Sequence, residues 1–159
     1  MLGKGPKRAF DLVVAALMLV ATSPVLLLAM VAVRASSPGP IIFSQIRVGQ
    51  NGTLFPCHKL RTMYLGTPSL PTHEAPKSSV TAVGRTLRRF KIDELPQLWN
   101  VLNGEMSLVG PRPCLPTQTE LVTRRKQLGV SSALPGITGL AQIRNIDMSD
   151  PKLCAETDA

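Results

Sequence analysis

Asp93 and Glu94 stand side by side in a chain that places Arg112 between Pro111 and Pro113 a short distance downstream. A carboxylate can attack phosphorus or hold a divalent cation, and a guanidinium grips phosphate oxygens in a bidentate fork. The fixed φ angles of the two prolines restrict where Arg112 can point, which suits phosphate recognition. At the start of a helix adjacent side chains diverge by about 100°, so the two carboxylates need not share one task. A structural account competes with this one. Asp93 would be the N-cap of a helix over residues 94–103, Glu94 would favour its dipole, Pro96 would fall in the first turn, and Gly104 would end it. Arg112 would then be a turn arginine paired with Glu105 or another surface carboxylate, and Glu105 would orient neighbouring basic groups.

These residues need elements to hold them. Residues 12–33 carry no charge, and at about 1.5 Å per residue a helix of that length reaches across a hydrocarbon core. Pro24 interrupts the run. It has no N–H, and its ring crowds the carbonyl four residues back, while Ser23 can return a hydrogen bond to a freed carbonyl. Lys4, Lys7 and Arg8 precede the run and Arg34 follows it, so the positive-inside rule assigns both flanks to the same side. Two topologies stay open on these residues: a re-entrant hairpin that enters and leaves by one face, and a proline-kinked span.

Beyond the run, the turn at residues 37–40 leads to a β-branched stretch at 41–47. Asn51 and Gly52, suited to positive φ, join it to a returning stretch at 53–61, which predicts a β-hairpin. Gln45, Arg47, Lys59 and Arg61 would project from it as a cationic shelf. Residues 67–79, rich in Pro, Ser and Thr, read as a surface loop. A helix is predicted over 80–90, with Val83, Leu87 and Phe90 on one stripe and Arg85, Arg88 and Arg89 around it. Another is predicted over 116–129, bearing Arg124, Arg125 and Lys126 and stopped by Gly129. Residues 133–142 read as a loop with two glycines, and the tail from Asp147 reads as polar.

Bulk properties narrow the function. The chain has 159 residues, enough for one core of ordinary domain size. It carries a net charge of +8 and a pI near 10.0 together with a mean hydropathy of +0.15. Such an excess of Lys and Arg in an apolar chain calls for an acidic counterpart: nucleic acid, an anionic membrane surface or phosphorylated substrates. Trp99, Tyr64 and four phenylalanines are too few for a base-stacking platform, so nucleic acid is set aside. Cys57, Cys114 and Cys154 are widely spaced and odd in number, which argues against a disulfide framework. His58 and His73 lack partners at zinc-ligand spacing, and a reduced compartment fits best.

Ordered motifs then accumulate along nearly the whole chain: Lys7, Arg8 and Asp11; Ser23 and Pro24; residues 38–49; residues 59–63; Asp93 and Glu94 with residues 95–97; residues 104–113; residues 135–139. In these the chain resembles the bacterial sugar transferase family, the monotopic phosphoglycosyl transferases. The resemblance implies an α+β, mostly helical fold. Residues 1–36 would form a re-entrant membrane-anchoring helix hairpin, and residues 37–159 a small cytoplasmic catalytic domain with a β-hairpin and amphipathic interfacial helices. It implies a place on the cytoplasmic face of the bacterial inner membrane, against an anionic lipid bilayer.

The implied reaction moves a phosphosugar from a UDP-sugar to undecaprenyl phosphate with release of UMP, the first membrane step of glycan assembly. Asp93 would be the nucleophile, forming a phosphosugar-aspartyl intermediate, and Glu94 would ligate Mg²⁺. Lys59, Arg88 and Arg112 would bind phosphate, with Gln142 and Arg144 near the nucleotide. Many members continue past the position of Ala159 with further interfacial helical sequence. The Asn-Gly-Arg ending common in the loop near Arg144 is missing here, which bears on the sugar pocket. The reading of a different class to set beside this one is a membrane-anchored scaffold that recruits partners with its basic face.

Overall fold

The computed structural model describes residues 4–67 and 76–159. It opens on helix α1, Lys4–Ser36, whose 33 residues amount to about 50 Å of helix. The helix runs on through Ser23 and Pro24. Pro24 cannot donate to the carbonyl of Val20, and the Ser23 hydroxyl takes that carbonyl instead at 2.7 Å, while Thr22 Oγ1 donates to Met18 O at 2.7 Å. The substitution expected at the break is therefore made. This is the helix among the described residues that is long and apolar enough to cross a membrane. Phe10, Val13, Leu17, Val20, Leu27, Leu28 and Val31 lie exposed along it.

Both ends of α1 nevertheless touch the globular part. Near the N-terminus, Ala15 enters a cluster with Phe55, Cys57, Leu98, Val101 and Met106. Asp11, buried at 3 % exposure, accepts from Ser107 Oγ at 2.8 Å and from Lys7 Nζ at 2.9 Å, and Lys7 also donates to Ser107 Oγ. Burial alone would push the Asp11 carboxyl up, but Lys7 and Ser107 hold it below its ordinary range. Arg8 donates to Val101 O at 2.7 Å and Leu102 O at 3.1 Å. Near the C-terminus, Ala29 and Val33 pack with Leu60 and Leu87. Arg61, read as part of the cationic shelf, is buried here: it donates to Ser37 O and Pro38 O at 2.7 Å each and fastens the end of α1 to the hairpin.

The predicted hairpin forms from β1, Ile42–Val48, and β2, Leu54–Leu60, paired antiparallel with Gln45 opposite Cys57 and Phe43 opposite Lys59. Asn51 at φ 55° and Gly52 at φ 81° make its turn. Strand β2 has a free edge, and its groups are met by one side chain: Asn100 Nδ2 donates to Pro56 O at 2.8 Å and Asn100 Oδ1 accepts from His58 N at 3.1 Å. Asn100 also donates to Glu105 Oε2 at 2.7 Å, so Glu105 orients an amide rather than the basic groups expected of it.

Helix α2, Ala82–Arg89, starts at an N-cap Thr81 whose hydroxyl accepts from Gly84 N at 2.9 Å. Leu87 faces the core as predicted, but Phe90 is turned outward with Arg89 over its ring at 5.7 Å. Helix α3, Gln97–Asn103, ends at Gly104 in the left-handed conformation. Helix α4, Thr119–Gln127, lies near its predicted place.

Four elements lie beyond the sequence-based expectation. Strands β3, Ser107–Val109, and β4, Gly136–Thr138, pair in parallel, with β4 inside the stretch expected to be a loop. Their backbones approach so closely that a Cβ on Gly136 would meet Gly110 N at 2.1 Å, which reserves the position for glycine. After the short helix α5, Leu140–Ile143, the polar tail forms α6, Pro151–Asp158, capped by Asp150, whose side chain accepts from Leu153 N at 2.9 Å. Cys154 and Ala155 of α6 are buried with Cys114, Leu121 and Ala141. All three cysteines are free and buried, consistent with the expected lack of a disulfide framework. Of the loop read over 67–79, residues 68–75, with His73, lie outside the described residues, and Lys77–Ser79 form a single 3-10 turn.

Replacing Asn100, which is fully buried, with Leu leaves Pro56 O, His58 N and Glu105 without their partner. Burying orphaned polar groups of this kind costs about 1–3 kcal/mol each. Thermal unfolding in detergent should show a markedly lower midpoint for Asn100→Leu than for the surface control Lys126→Ala.

Candidate functional site

Asp93 and Glu94 are not at the start of α3. They occupy a separate 3-10 turn, Ile92–Glu94, entered through Lys91 at φ 57°, and α3 begins after Pro96 with no side-chain cap. The capping role considered for Asp93 is thereby corrected. The left-handed turn at Lys91 and the proline at 96 detach the pair from the helix, and both carboxylates point inward, at 6 % and 8 % exposure.

Two segments converge on Glu94. Lys59 Nζ, from β2, lies 3.1 Å from Glu94 Oε1, and Arg112 reaches the same oxygen with Nη2 at 2.5 Å and Oε2 with Nη1 at 3.4 Å. Arg112 thus pairs with Glu94 and not with Glu105, the partner proposed in the structural account. Burial by itself would raise the Glu94 pKa. The two cations outweigh it and hold the carboxyl at about 2, below its ordinary 4.5. Arg112 is raised in turn: burial would lower it, but Glu94 wins, whereas burial lowers Lys59 in spite of Glu94.

Asp93 is in the opposite condition. Burial pushes its pKa above the ordinary carboxylate value, against the pull of Lys59 and Arg88 and with a push from Glu94. Its Oδ1 is buried with no hydrogen-bond partner among the described residues. A buried, unsolvated, unpaired carboxylate oxygen beside cations is a reactive group, since little has to be stripped from it before it attacks. Asp93 lines a cavity of about 280 Å³ together with Lys59, Tyr64, Thr67, Arg88, Glu94 and Arg112. Arg88 is steadied there by its Nε donating to Thr62 Oγ1 at 2.9 Å.

A second, larger cavity of about 960 Å³ adjoins the other side of the Lys59–Glu94–Arg112 group. Gln142 lines it, with its amide donating to Ile137 O at 3.2 Å. Arg144 is exposed at the end of α5 and lines neither cavity, so the structure does not bring it to the other predicted residues. Arg47 belongs to the site although it was read only as a shelf residue: it lines both cavities, donates to Gln45 Oε1 at 2.5 Å and reaches Pro113 O at 3.2 Å. No sequence signal separates it from the other arginines, because its place depends on the hairpin's register.

The donor set fits the Mg²⁺ that the resemblance implies. Glu94 is held ionised, and a single hard carboxylate is enough for Mg²⁺, which keeps several waters and draws its remaining ligands from phosphates. Among the described residues there is no group of three or more His, Cys, Asp or Glu that would hold a transition metal without substrate.

A family profile described as bacterial sugar transferase matches residues 3–158. The chain is 45 % identical over 144 residues to the UDP-glucose:undecaprenyl-phosphate glucose-1-phosphate transferase of Caulobacter vibrioides, covering 88 % of this chain and 54 % of that protein. It is 39 % identical over 156 residues to the exopolysaccharide production protein ExoY of Sinorhizobium fredii, covering 86 % of this chain and 68 % of that one. The undecaprenyl-phosphate galactose phosphotransferase of Salmonella typhimurium is 37 % identical over 154 residues, with 86 % of this chain and 32 % of the relative covered. The chain therefore spans about half the length of the first of these and about a third of the last.

The depressed Glu94 pKa has a consequence for stability. Its contribution is present in full above pH 4.5 and is lost as pH falls toward about 2. In acid titration of unfolding, the gap between the parent protein and Glu94→Gln should close across that window, and a gap that stays constant to pH 2 would contradict the pairing.

Proposed function

Because the chain belongs to the bacterial sugar transferase family, we propose that it transfers a phosphosugar from a UDP-sugar to undecaprenyl phosphate and releases UMP. The observation that carries this reading is the contrast at the dyad. Asp93 Oδ1 is buried and unpartnered, while Glu94 next to it is held ionised between Lys59 and Arg112.

In the first half-reaction an Asp93 oxygen attacks the phosphorus that carries the sugar. The bond from that phosphorus to the oxygen bridging to the nucleoside phosphate breaks, and UMP leaves with the electron pair. The product is a phosphosugar joined to the enzyme as an acyl phosphate. In the second, an oxygen of the lipid phosphate attacks the same phosphorus and Asp93 departs as carboxylate, which restores the enzyme and yields the lipid diphosphate sugar. Lys59, Arg88 and Arg112 neutralise the phosphate oxygens, and Arg112 can do so bidentately. Glu94 would hold Mg²⁺, which when bound offsets the negative charge of the diphosphate.

Such a reaction joins a water-soluble nucleotide to a membrane-embedded lipid, so its site belongs at the membrane surface. Ala15 near one end of α1 and Val33 near the other both pack against the same small domain. That favours a helix whose two ends stay on one side, the monotopic arrangement on the cytoplasmic face, over a span that would separate them. Exposed Arg85 and Arg89 on α2 add attraction to anionic lipids, about 1 kcal/mol for each close cation.

Purified protein given a panel of UDP-sugars, undecaprenyl phosphate and Mg²⁺ should release UMP. Asp93→Asn should lose at least about 1,000-fold in turnover, as removal of a nucleophile does. Since burial raises the Asp93 pKa and attack needs the carboxylate, kcat/KM should fall with decreasing pH at values above the ordinary carboxylate range. Retention of full turnover by Asp93→Asn would eliminate the covalent route.

A further inference from the structure

The Pro111–Arg112–Pro113 segment lacks two of the N–H donors a loop would ordinarily use to fix itself, since neither proline has one. Its carbonyls are used instead. Pro111 O accepts from Gly136 N at 2.9 Å, Arg112 O from Arg125 Nη1 at 2.8 Å, Pro113 O from Arg47 Nη1 at 3.2 Å, and Cys114 O from Val48 N at 2.9 Å. The run is complete, and the bond at Arg112 itself comes from a residue outside the site.

Arg125 lies on α4 and is 6 % exposed. With its first arm on the Arg112 carbonyl, its second arm, Nη2, lies 2.5 Å from Asp158 Oδ2 of α6, and the two side chains are 8 % and 2 % exposed. A buried arginine–aspartate pair is a poor source of net stability, because desolvation of both ions offsets their attraction. What this pair does supply is direction. Asp158 fixes the guanidinium plane, and the planar fork carries that orientation to the carbonyl of Arg112.

The prolines set φ at 111 and 113, and Pro113 confines Arg112 to extended backbone, but the ψ torsion of Arg112 keeps a range of values. That torsion swings the Arg112 carbonyl against its side chain. We propose that Arg125, locked by Asp158, is a positioning residue: it fixes the Arg112 peptide and so aims the Arg112 guanidinium at Glu94 and at substrate phosphate. This rests on the reading of Arg112 as a phosphate ligand. A displacement of about 1 Å at such a group costs on the order of 100-fold in rate, so a contact that touches no substrate can still matter.

A double-mutant cycle tests it, read on UMP release with donor, undecaprenyl phosphate and Mg²⁺, and in parallel on equilibrium binding of UDP. Arg125→Lys retains the charge but cannot hold the carbonyl and Asp158 together. It should reduce kcat/KM about ten-fold or more when Arg112 is present, and less than about two-fold in an Arg112→Ala background, because the two residues act as one unit. UDP affinity should show the same non-additivity. Asp158→Asn should behave as a milder Arg125→Lys, again only when Arg112 is present.

Equal losses in both backgrounds, or lost folding in both Arg125→Lys and Asp158→Asn by thermal midpoint, would assign the pair to the scaffold and overturn the proposal. A parent protein that binds UDP but releases no UMP would defeat the proposed reaction while leaving the binding cycle to judge the positioning. A parent that does neither would defeat both.

Discussion

A buried carboxylate between two cations organises this protein. Glu94 brings together β2 through Lys59, the 3-10 turn that carries the dyad, and the Pro-Arg-Pro segment through Arg112. Charges taken out of water must be paired, and each partner here arrives from a different part of the chain. The register of the hairpin, the detachment of the turn from α3 and the path after β3 all have to agree for that pairing to exist. Two layers of polar side chains maintain it: Asn100 holds the edge of β2, and Arg47 and Arg125 hold the carbonyls around Arg112.

The long apolar helix belongs to the same construction. Asp11 and Ser107 join α1 to β3, and β3 leads directly into Gly110 and the proline-flanked arginine. At the other end, Arg61 ties Ser37 and Pro38 to the hairpin that bears Lys59. The placement of the apolar helix against the domain and the position of the site are therefore set by the same few contacts. Ser23 serves a local purpose, accepting responsibility for the Val20 carbonyl that Pro24 leaves free.

Much of this was legible from residue types. The hairpin followed from Asn51 and Gly52, the end of α3 from Gly104, and the apolar helix from its uninterrupted composition, because each is a local preference. The roles at the dyad depended on the resemblance, since periodicity alone favoured a helix cap at Asp93. What stayed hidden was non-local. Strands of three residues at β3 and β4 carry too little pattern, and their glycines report a close approach between segments far apart in sequence. Arg125 is indistinguishable by sequence from Arg124, which pairs with Glu120 at 2.9 Å on the surface. Only the tertiary fold separates them. Helix α6 had a readable start in Asp150 and Pro151, but its polar composition masked it.

Adjacent position and opposite environment give two like residues different properties. Both carboxylates are buried, so both pay desolvation, which by itself would protonate them. Glu94 recovers the cost through direct contacts with Lys59 and Arg112 and stays ionised far into acid. Asp93 feels Lys59 and Arg88 only from a distance, together with repulsion from Glu94, and remains raised and unpartnered. If the cations contacted Asp93 as well, it would be stable and unreactive; if they left Glu94, the site would lose the charge that holds its basic groups in place. The separation of the two environments is thus as much a part of the site as the carboxylates are, and it is produced by the single turn between Lys91 and Pro96 that sets one carboxylate against a cation pair and leaves an oxygen of the other buried without a partner.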